Sequence, residues 1–135
     1  MSSEMAHNLG DVTARGPDAT SAALRDLLAE GREVSAVHYM EARRDARRYS
    51  AGISEIFTEY DAILTPASTG VAPKGTATGN PMFNTLWTLT GLPAVTLPLL
   101  SGEGGMPIGV QLVGPGGDDA RLLRTANWLI NRLAE

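Results

Sequence analysis

The sequence contains no cysteine, which excludes disulfides and thiolate metal sites. Histidine is nearly as scarce. His7 and His38 are too few for a His-rich metal centre, although one His combined with carboxylates stays open. Lysine occurs once, as Lys74. Positive charge as a whole is in deficit: 11 Lys and Arg stand against 15 Asp and Glu, with a net charge of -4 and a pI near 5.1. That balance argues against general nucleic-acid binding, which needs a basic surface. No apolar run approaches the roughly 20 residues of a membrane span, and the N-terminus lacks the apolar core of a signal peptide. A cytoplasmic protein with no membrane partner and no cofactor is the expectation. Internal repeats and long heptad arrays are also missing.

What is present fits a folded chain. It has 135 residues, 43% hydrophobic and 19% charged, so it is not a disordered segment. At this size folding buries roughly two-thirds of the unfolded surface, enough for one modest core. A single domain over 1–135 is expected, with a helical part at 18–60 and a strand-loop-helix-hairpin-helix part at 61–135. The 15 Gly and 8 Pro concentrate after Asp61 and predict a loop-rich second half.

In the first half, residues 1–17 read as an extended or partly helical lead-in. Residues 18–30 read as a helix capped by Asp18 or Thr20, with Leu24, Leu27 and Leu28 on one face and Gly31 as its left-handed stop. Ser35 is the expected N-cap of a longer helix near 36–59, about 36 Å long. There Tyr39, Ala42, Ala46, Tyr49, Ile53, Ile56 and Tyr60 fall on one stripe, and Gly52 weakens continuity. Arg43, Arg44, Arg47 and Arg48 share this helix. The pairs Glu41/Arg44 and Asp45/Arg48, at i,i+3, favour a solvated, self-paired face over an anion-binding patch.

In the second half, 61–65 reads as a buried strand ended by Pro66, and 66–81 as a loop. A helix over 82–89 ends at Gly91. Strands at 94–99 and 108–113 are joined by Ser-Gly-Glu-Gly-Gly, which suits a hairpin. A final helix spans 118–133, with Leu122, Leu123, Ala126, Leu129, Ile130 and Leu133 facing the core and Asp118 and Asp119 at its positive end. The expected class is α/β, with α+β as the variant: a short mixed or antiparallel sheet packed by helices. Trp87 and Trp128 are expected to pack in the core, each indole N–H needing a partner if buried.

Chemistry is harder to find. The Gly-Pro-Gly-Gly turn at 114–117 opens a helix as phosphate sites do. However, it lacks the third glycine of a dinucleotide fingerprint and the Gly-Lys-Ser/Thr of a P-loop, and two aspartates follow it. A nucleotide-binding reading of this turn is the weakest alternative. No Gly-x-Ser-x-Gly elbow or Ser-x-x-Lys pair occurs. Ser68 and Lys74 share a Gly/Pro-rich loop, a poor place to hold a nucleophile and base in register. His38 reads as a surface or packing residue. The pairs Glu30/Glu33 and Asp118/Asp119 fall in no evident cleft pattern.

The run Tyr60-Asp61-Ala62-Ile63-Leu64-Thr65-Pro66, the segment Trp87-Thr88-Leu89-Thr90-Gly91-Leu92-Pro93-Ala94-Val95-Thr96-Leu97-Pro98 and the strand Met106-Pro107-Ile108-Gly109-Val110-Gln111-Leu112-Val113-Gly114 together resemble the C-terminal part of the amidase signature family. Thr88 stands where many relatives carry Asn. The resemblance implies a partial amidase-signature α/β/α sandwich. It also implies a family chemistry of amide hydrolysis by a Ser–cis-Ser–Lys triad without metal. No position here matches that triad, so no catalytic residue is carried over, and the chain alone is expected to be inactive. By position, the resemblance makes Pro66, Phe83, Asn84 and Trp87 the substrate-binding candidates. The implied partner is the remainder of the amidase, with an amide small molecule as substrate of the intact enzyme. The alternative is a non-catalytic α/β module that self-associates or binds a partner through exposed sheet edges.

Overall fold

Residues 1–133 are described in the computed structural model, apart from the side chain of Pro17; Ala134 and Glu135, the end of the expected 1–135 span, lie outside the described residues. The class is mixed α/β, as the sequence indicates, and the chain divides into two compact units, Met1–Asp45 and Ala46–Glu135. Among the described residues no helix is long and apolar enough to cross a membrane.

The first unit is helical. The lead-in is a full helix, α1 (Ser2–Arg15), followed by a 3-10 turn and then α2 (Ala22–Glu33). Ser21 caps α2, its side chain accepting from the Leu24 N–H at 3.3 Å, so neither Asp18 nor Thr20 is the cap. Thr20 instead donates back to the Gly16 carbonyl. Gly31 does not stop the helix, which runs on to Glu33 with Val34 as its extended C-cap. It is buried inside α2 because the Ser2 carbonyl of α1 lies where its Cβ would be. Close backbone approach is the second use of glycine, and here it outweighs the helix-stop signal.

Helix α3 (Ala36–Ile56) is capped as expected, with the Ser35 hydroxyl accepting from the His38 N–H at 3.2 Å. It passes through Gly52, which is exposed with open space around it. Its apolar stripe is not a buried face: no α3 residue is buried, and Tyr49 and Ile56 are exposed. The periodicity specified the helix correctly but not what covers it.

The second unit is built on a three-stranded antiparallel sheet in the order β1-β3-β2, with β1 at Ile63–Pro66, β2 at Ala94–Ser101 and β3 at Pro107–Val113. Side chains alternate across a strand, so β3 feeds two layers. Leu112 lies with Leu97 against Leu122 and Ala126 of α5 (Asp119–Leu133). On the opposite face Val113, fully buried, packs with Phe57 and Leu92, flanked by Ile53, Ile63 and Trp87. The helix α4 (Thr85–Thr90) ends at Gly91, whose φ of 69° is the left-handed cap expected of it.

One expectation about strand ends needs correction: Pro66 is the last residue of β1, not the first outside it. Pro98 lies within β2, inside the strand expected over 94–99. Proline cannot donate to a ladder and is confined to edge strands and irregularities. Both prolines obey this: β1 and β2 are the edges, and the β2 register shifts between Leu97 and Leu100. Trp128 is also not a core residue, since it is 61% exposed, and Leu123, Ile130 and Leu133 of the expected α5 core face are exposed too.

Candidate substrate cleft

The middle of β3 carries the one buried polar side chain among the described core residues, Gln111, 3% exposed. A buried amide without partners is costly, by about 1–3 kcal/mol per unmet group. Gln111 meets this by donating from Nε2 to the Thr65 hydroxyl of β1 at 3.2 Å and to the Phe83 carbonyl at 3.1 Å. Thr65 is in register with Gln111 across the ladder. The bond to Phe83 ties the turn before α4 to the sheet. One residue on, Asn84 Nδ2 donates to the Ala67 carbonyl at 3.2 Å, and Ala67 in turn donates its N–H to the Gly109 carbonyl. A chain of hydrogen bonds thus joins the central strand, the end of β1 and the start of α4.

Two glycines let the neighbouring pieces close on this frame. A Cβ at Gly109 would meet the Thr96 methyl and Ala67, and one at Gly102 would meet Val71 Cγ1. The loop after β1 therefore folds back over the hairpin. It encloses a cleft of about 670 Å³ lined by residues of 67–84 and by Pro107. Within the loop, Ser68 Oγ donates to the Gly70 carbonyl at 2.7 Å, and the Asn80 side-chain oxygen accepts from the Met82 N–H at 3.0 Å.

The four substrate-binding candidates fall at different distances from this cleft. Asn84 lines it. Phe83 contributes the carbonyl held by Gln111. Pro66 closes β1 opposite Val110. Trp87 packs beside Val113, and its carbonyl accepts from the Gly91 and Leu92 N–H groups. Its indole Nε1 is buried and has no hydrogen-bond partner among the described residues. Ser68 lines the cleft, whereas Lys74 is exposed and outside the lining. His7, His38, Glu30 and Glu33 are exposed on helices of the first unit. Asp118 caps α5, its Oδ1 accepting from the Arg121 N–H at 3.1 Å, so the Gly-Pro-Gly-Gly turn is served by the protein's own carboxylate.

Two functional-looking side chains were not singled out from sequence. Gln111 could have been, because a polar residue at an inward position of a buried strand demands partners. Arg121 carries no such signal. Its Nη2 lies 2.9 Å from Asp61 Oδ1 and also donates to the Phe57 and Tyr60 carbonyls, fixing the approach to β1 onto α5.

The fold and its elements can be compared with known proteins. A model of the amidase family matches residues 12–123. A glutamyl-tRNA(Gln) amidotransferase subunit of Cupriavidus metallidurans is 36% identical over 98 residues, which make up 67% of this chain and 20% of that protein. A solved amidase superposes with a TM-score of 0.83 at 26% identity, covering 97% of this chain and 33% of its own. A protein solved with an inhibitor, from a vestigial complex bearing on the origins of an s-triazine catabolic enzyme, gives 0.79 at 26% identity over 97% of this chain and 32% of its own. The chain thus spans about a fifth of that curated relative and about a third of those solved structures. With the family match covering most of its length, the chain belongs to the amidase family.

Proposed function

We propose that this chain supplies sheet scaffold and one wall of the substrate cleft to an amide hydrolase of the amidase type, as its C-terminal portion. The nucleophile and base are supplied by polypeptide other than these 135 residues. In that enzyme an activated serine attacks the amide carbonyl, and water then hydrolyses the acyl-enzyme. One observation carries the reading: the Gln111–Phe83 and Asn84–Ala67 bonds hold the loop and α4 rigidly against the central strand, as a cleft wall must be held. Asn84 is the contact residue. Phe83 and Trp87 set the position of α4, and Pro66 ends the strand from which the loop departs.

The partner is amidase polypeptide carrying the catalytic set. It is in keeping with this that the relative from Cupriavidus metallidurans is itself one subunit of an amidotransferase. The test is amide turnover by the purified chain, alone and mixed with an amidase polypeptide bearing the Gly/Ser-rich catalytic region. The chain alone is expected to be inert and the mixture active. Turnover by the chain alone that disappears in Ser68→Ala or Lys74→Ala overturns the proposal.

A second reading, a self-associating module, is favoured by the β1 edge. There Tyr60, Leu64 and Trp128, each more than 60% exposed, border a groove of about 650 Å³. Unpaired edges beside apolar surface invite pairing. A single monomeric species across concentrations in sedimentation counts against it.

A further inference from the structure

We propose that the groove between β1 and α5 seats an extended segment of another polypeptide, one that carries an apolar residue and a carboxylate two positions apart. This goes beyond the cleft reading, since groove and cleft share no lining residue among those described. Backbone, apolar surface and charge converge on that chemistry.

The backbone comes first. β1 is an edge of the sheet. Just past its end the Ala67 N–H donates to the Gly109 carbonyl. Peptide groups along an antiparallel strand point alternately to its two sides. Ile63 and Thr65 therefore bond towards β3, while the Leu64 N–H and C=O and the Pro66 C=O point away from it. Pro66 itself has no N–H to offer. An added strand meets that donor and those acceptors, the mode by which extended peptides join sheet edges.

The apolar surface lies beside them. Leu64 stands opposite Leu112 in the ladder, so its side chain is on the face where α5 covers Leu97 and Leu112. The cover stops short of β1. Leu64 and its groove neighbours Tyr60 and Trp128 are all exposed. One exposed apolar side chain is ordinary, but a patch of this kind marks an interaction surface.

Charge selects the occupant. Arg121 in the groove is committed to Asp61 and to the Phe57 and Tyr60 carbonyls. Arg124, also in the groove, is exposed and has no ion-pair or hydrogen-bond partner among the described residues. Trp128 lies one turn further along α5, about 6 Å away at 1.5 Å per residue. Residues i and i+2 on one face of a strand are about 6.6 Å apart. A segment laid along β1 thus puts an apolar side chain on Leu64 and Trp128 and a carboxylate beside Arg124. A second copy of this chain does not supply that carboxylate. Paired antiparallel through the same free groups, its β1 presents Leu64 and Pro66 to the α5 side, and its Asp61 is held by its own Arg121.

The test is a 15N NMR titration of the chain at low ionic strength with capped pentapeptides. Acetyl-Thr-Leu-Thr-Glu-Thr-amide carries Leu and Glu on one face of a strand. A second peptide has Gln in place of Glu, and a third, acetyl-Thr-Leu-Glu-Thr-Thr-amide, puts Leu and Glu on opposite faces. The first is expected to shift the Leu64 amide and the Trp128 indole signals saturably. It is expected to bind about threefold more tightly than either control, the worth of an exposed ion pair. Equal affinities, or no shift with the first peptide, overturn the proposal. So does movement of the Leu64 amide on concentrating the chain without peptide, which makes a second copy the occupant.

Arg124→Gln is the second arm. Arg124 bonds to nothing among the described residues, so the variant is expected to fold as the parent does and to lose the preference for Glu over Gln. A threefold preference that persists in this variant overturns the assignment of Arg124. Failure here leaves the scaffold and cleft-wall reading standing, which fails instead in the mixing assay.

Discussion

The two units of the chain are held by different means. In the first, the buried apolar side chains among the described residues are Ala6 and Leu28, and the helices close through backbone against Gly31. A surface network adds to this: the Tyr39 hydroxyl donates to Glu4 at 3.0 Å, with Arg43 3.6 Å from the same carboxylate and 5.9 Å from the Tyr39 ring centre. In the second, seven buried apolar residues among those described line two faces of one sheet, and the polar bonds that matter most, those of Gln111, are internal. The comparison teaches where specificity lives. A two-sided core dictates its neighbours closely, while a thin helical unit depends on one permissive glycine and on exposed charge.

The largest expected effect strikes the second unit. Leu122 is 3% exposed and sits over Gly114, which has no Cβ to hold it away. Leu122→Ala should cost about 3 kcal/mol in chemical denaturation, by lost transfer energy and a residual cavity. A loss below about 1 kcal/mol would mean that the α5 face is loosely packed. Next comes the first unit. Gly31→Ala drives a methyl into the Ser2 carbonyl, a backbone group that cannot swing aside. It should destabilise by about 2 kcal/mol, the range of overpacking, although alanine is the better helix former.

Gly52→Ala is the control for that argument. It lies in α3 with nothing within 4 Å of the added methyl, so helix propensity alone acts and stability should rise by about 1 kcal/mol. Equal signs for the two glycine substitutions would break the account of Gly31. The smallest effect is on pH. The Glu4 carboxyl is held below its ordinary value, first by the Tyr39 hydrogen bond and then by the N-terminal ammonium. A depressed carboxylate stabilises the fold above the unfolded-state pKa and loses that contribution as pH falls through the folded value. The helical signal of the first unit should therefore weaken slightly on acidification through and below the usual glutamate range. Glu4→Gln should flatten that part of the titration. The same residue being half-exposed keeps the effect small.

Much of the second unit was legible because its signals are local. Gly91 at a helix end, the glycine-rich connection at 101–105 and the short apolar stretch at 108–113 each determine conformation within a few residues. The misreadings share a cause. Gly31 and Trp128 each have two common uses, and only the surroundings across space decide between them: the Ser2 carbonyl for Gly31 and, for Trp128, the exposure of that side of α5. The stripe on α3 specified the helix and left its cover open, since periodicity reports a face but not its cover. Of the cleft candidates, Asn84 was reachable through the resemblance. The wall around it was not, because it arises from folding a loop over a hairpin through Gly102 and Gly109.

The central claim is that this chain carries scaffold and wall while the reacting serine lies elsewhere. Treating the purified chain with a serine-directed fluorophosphonate, followed by intact-mass and peptide mapping, tests it most directly. The account predicts no adduct on the chain alone, and labelling only on the complementing polypeptide when the two are mixed. Stoichiometric modification of a serine within these 135 residues, Ser68 foremost, would contradict it.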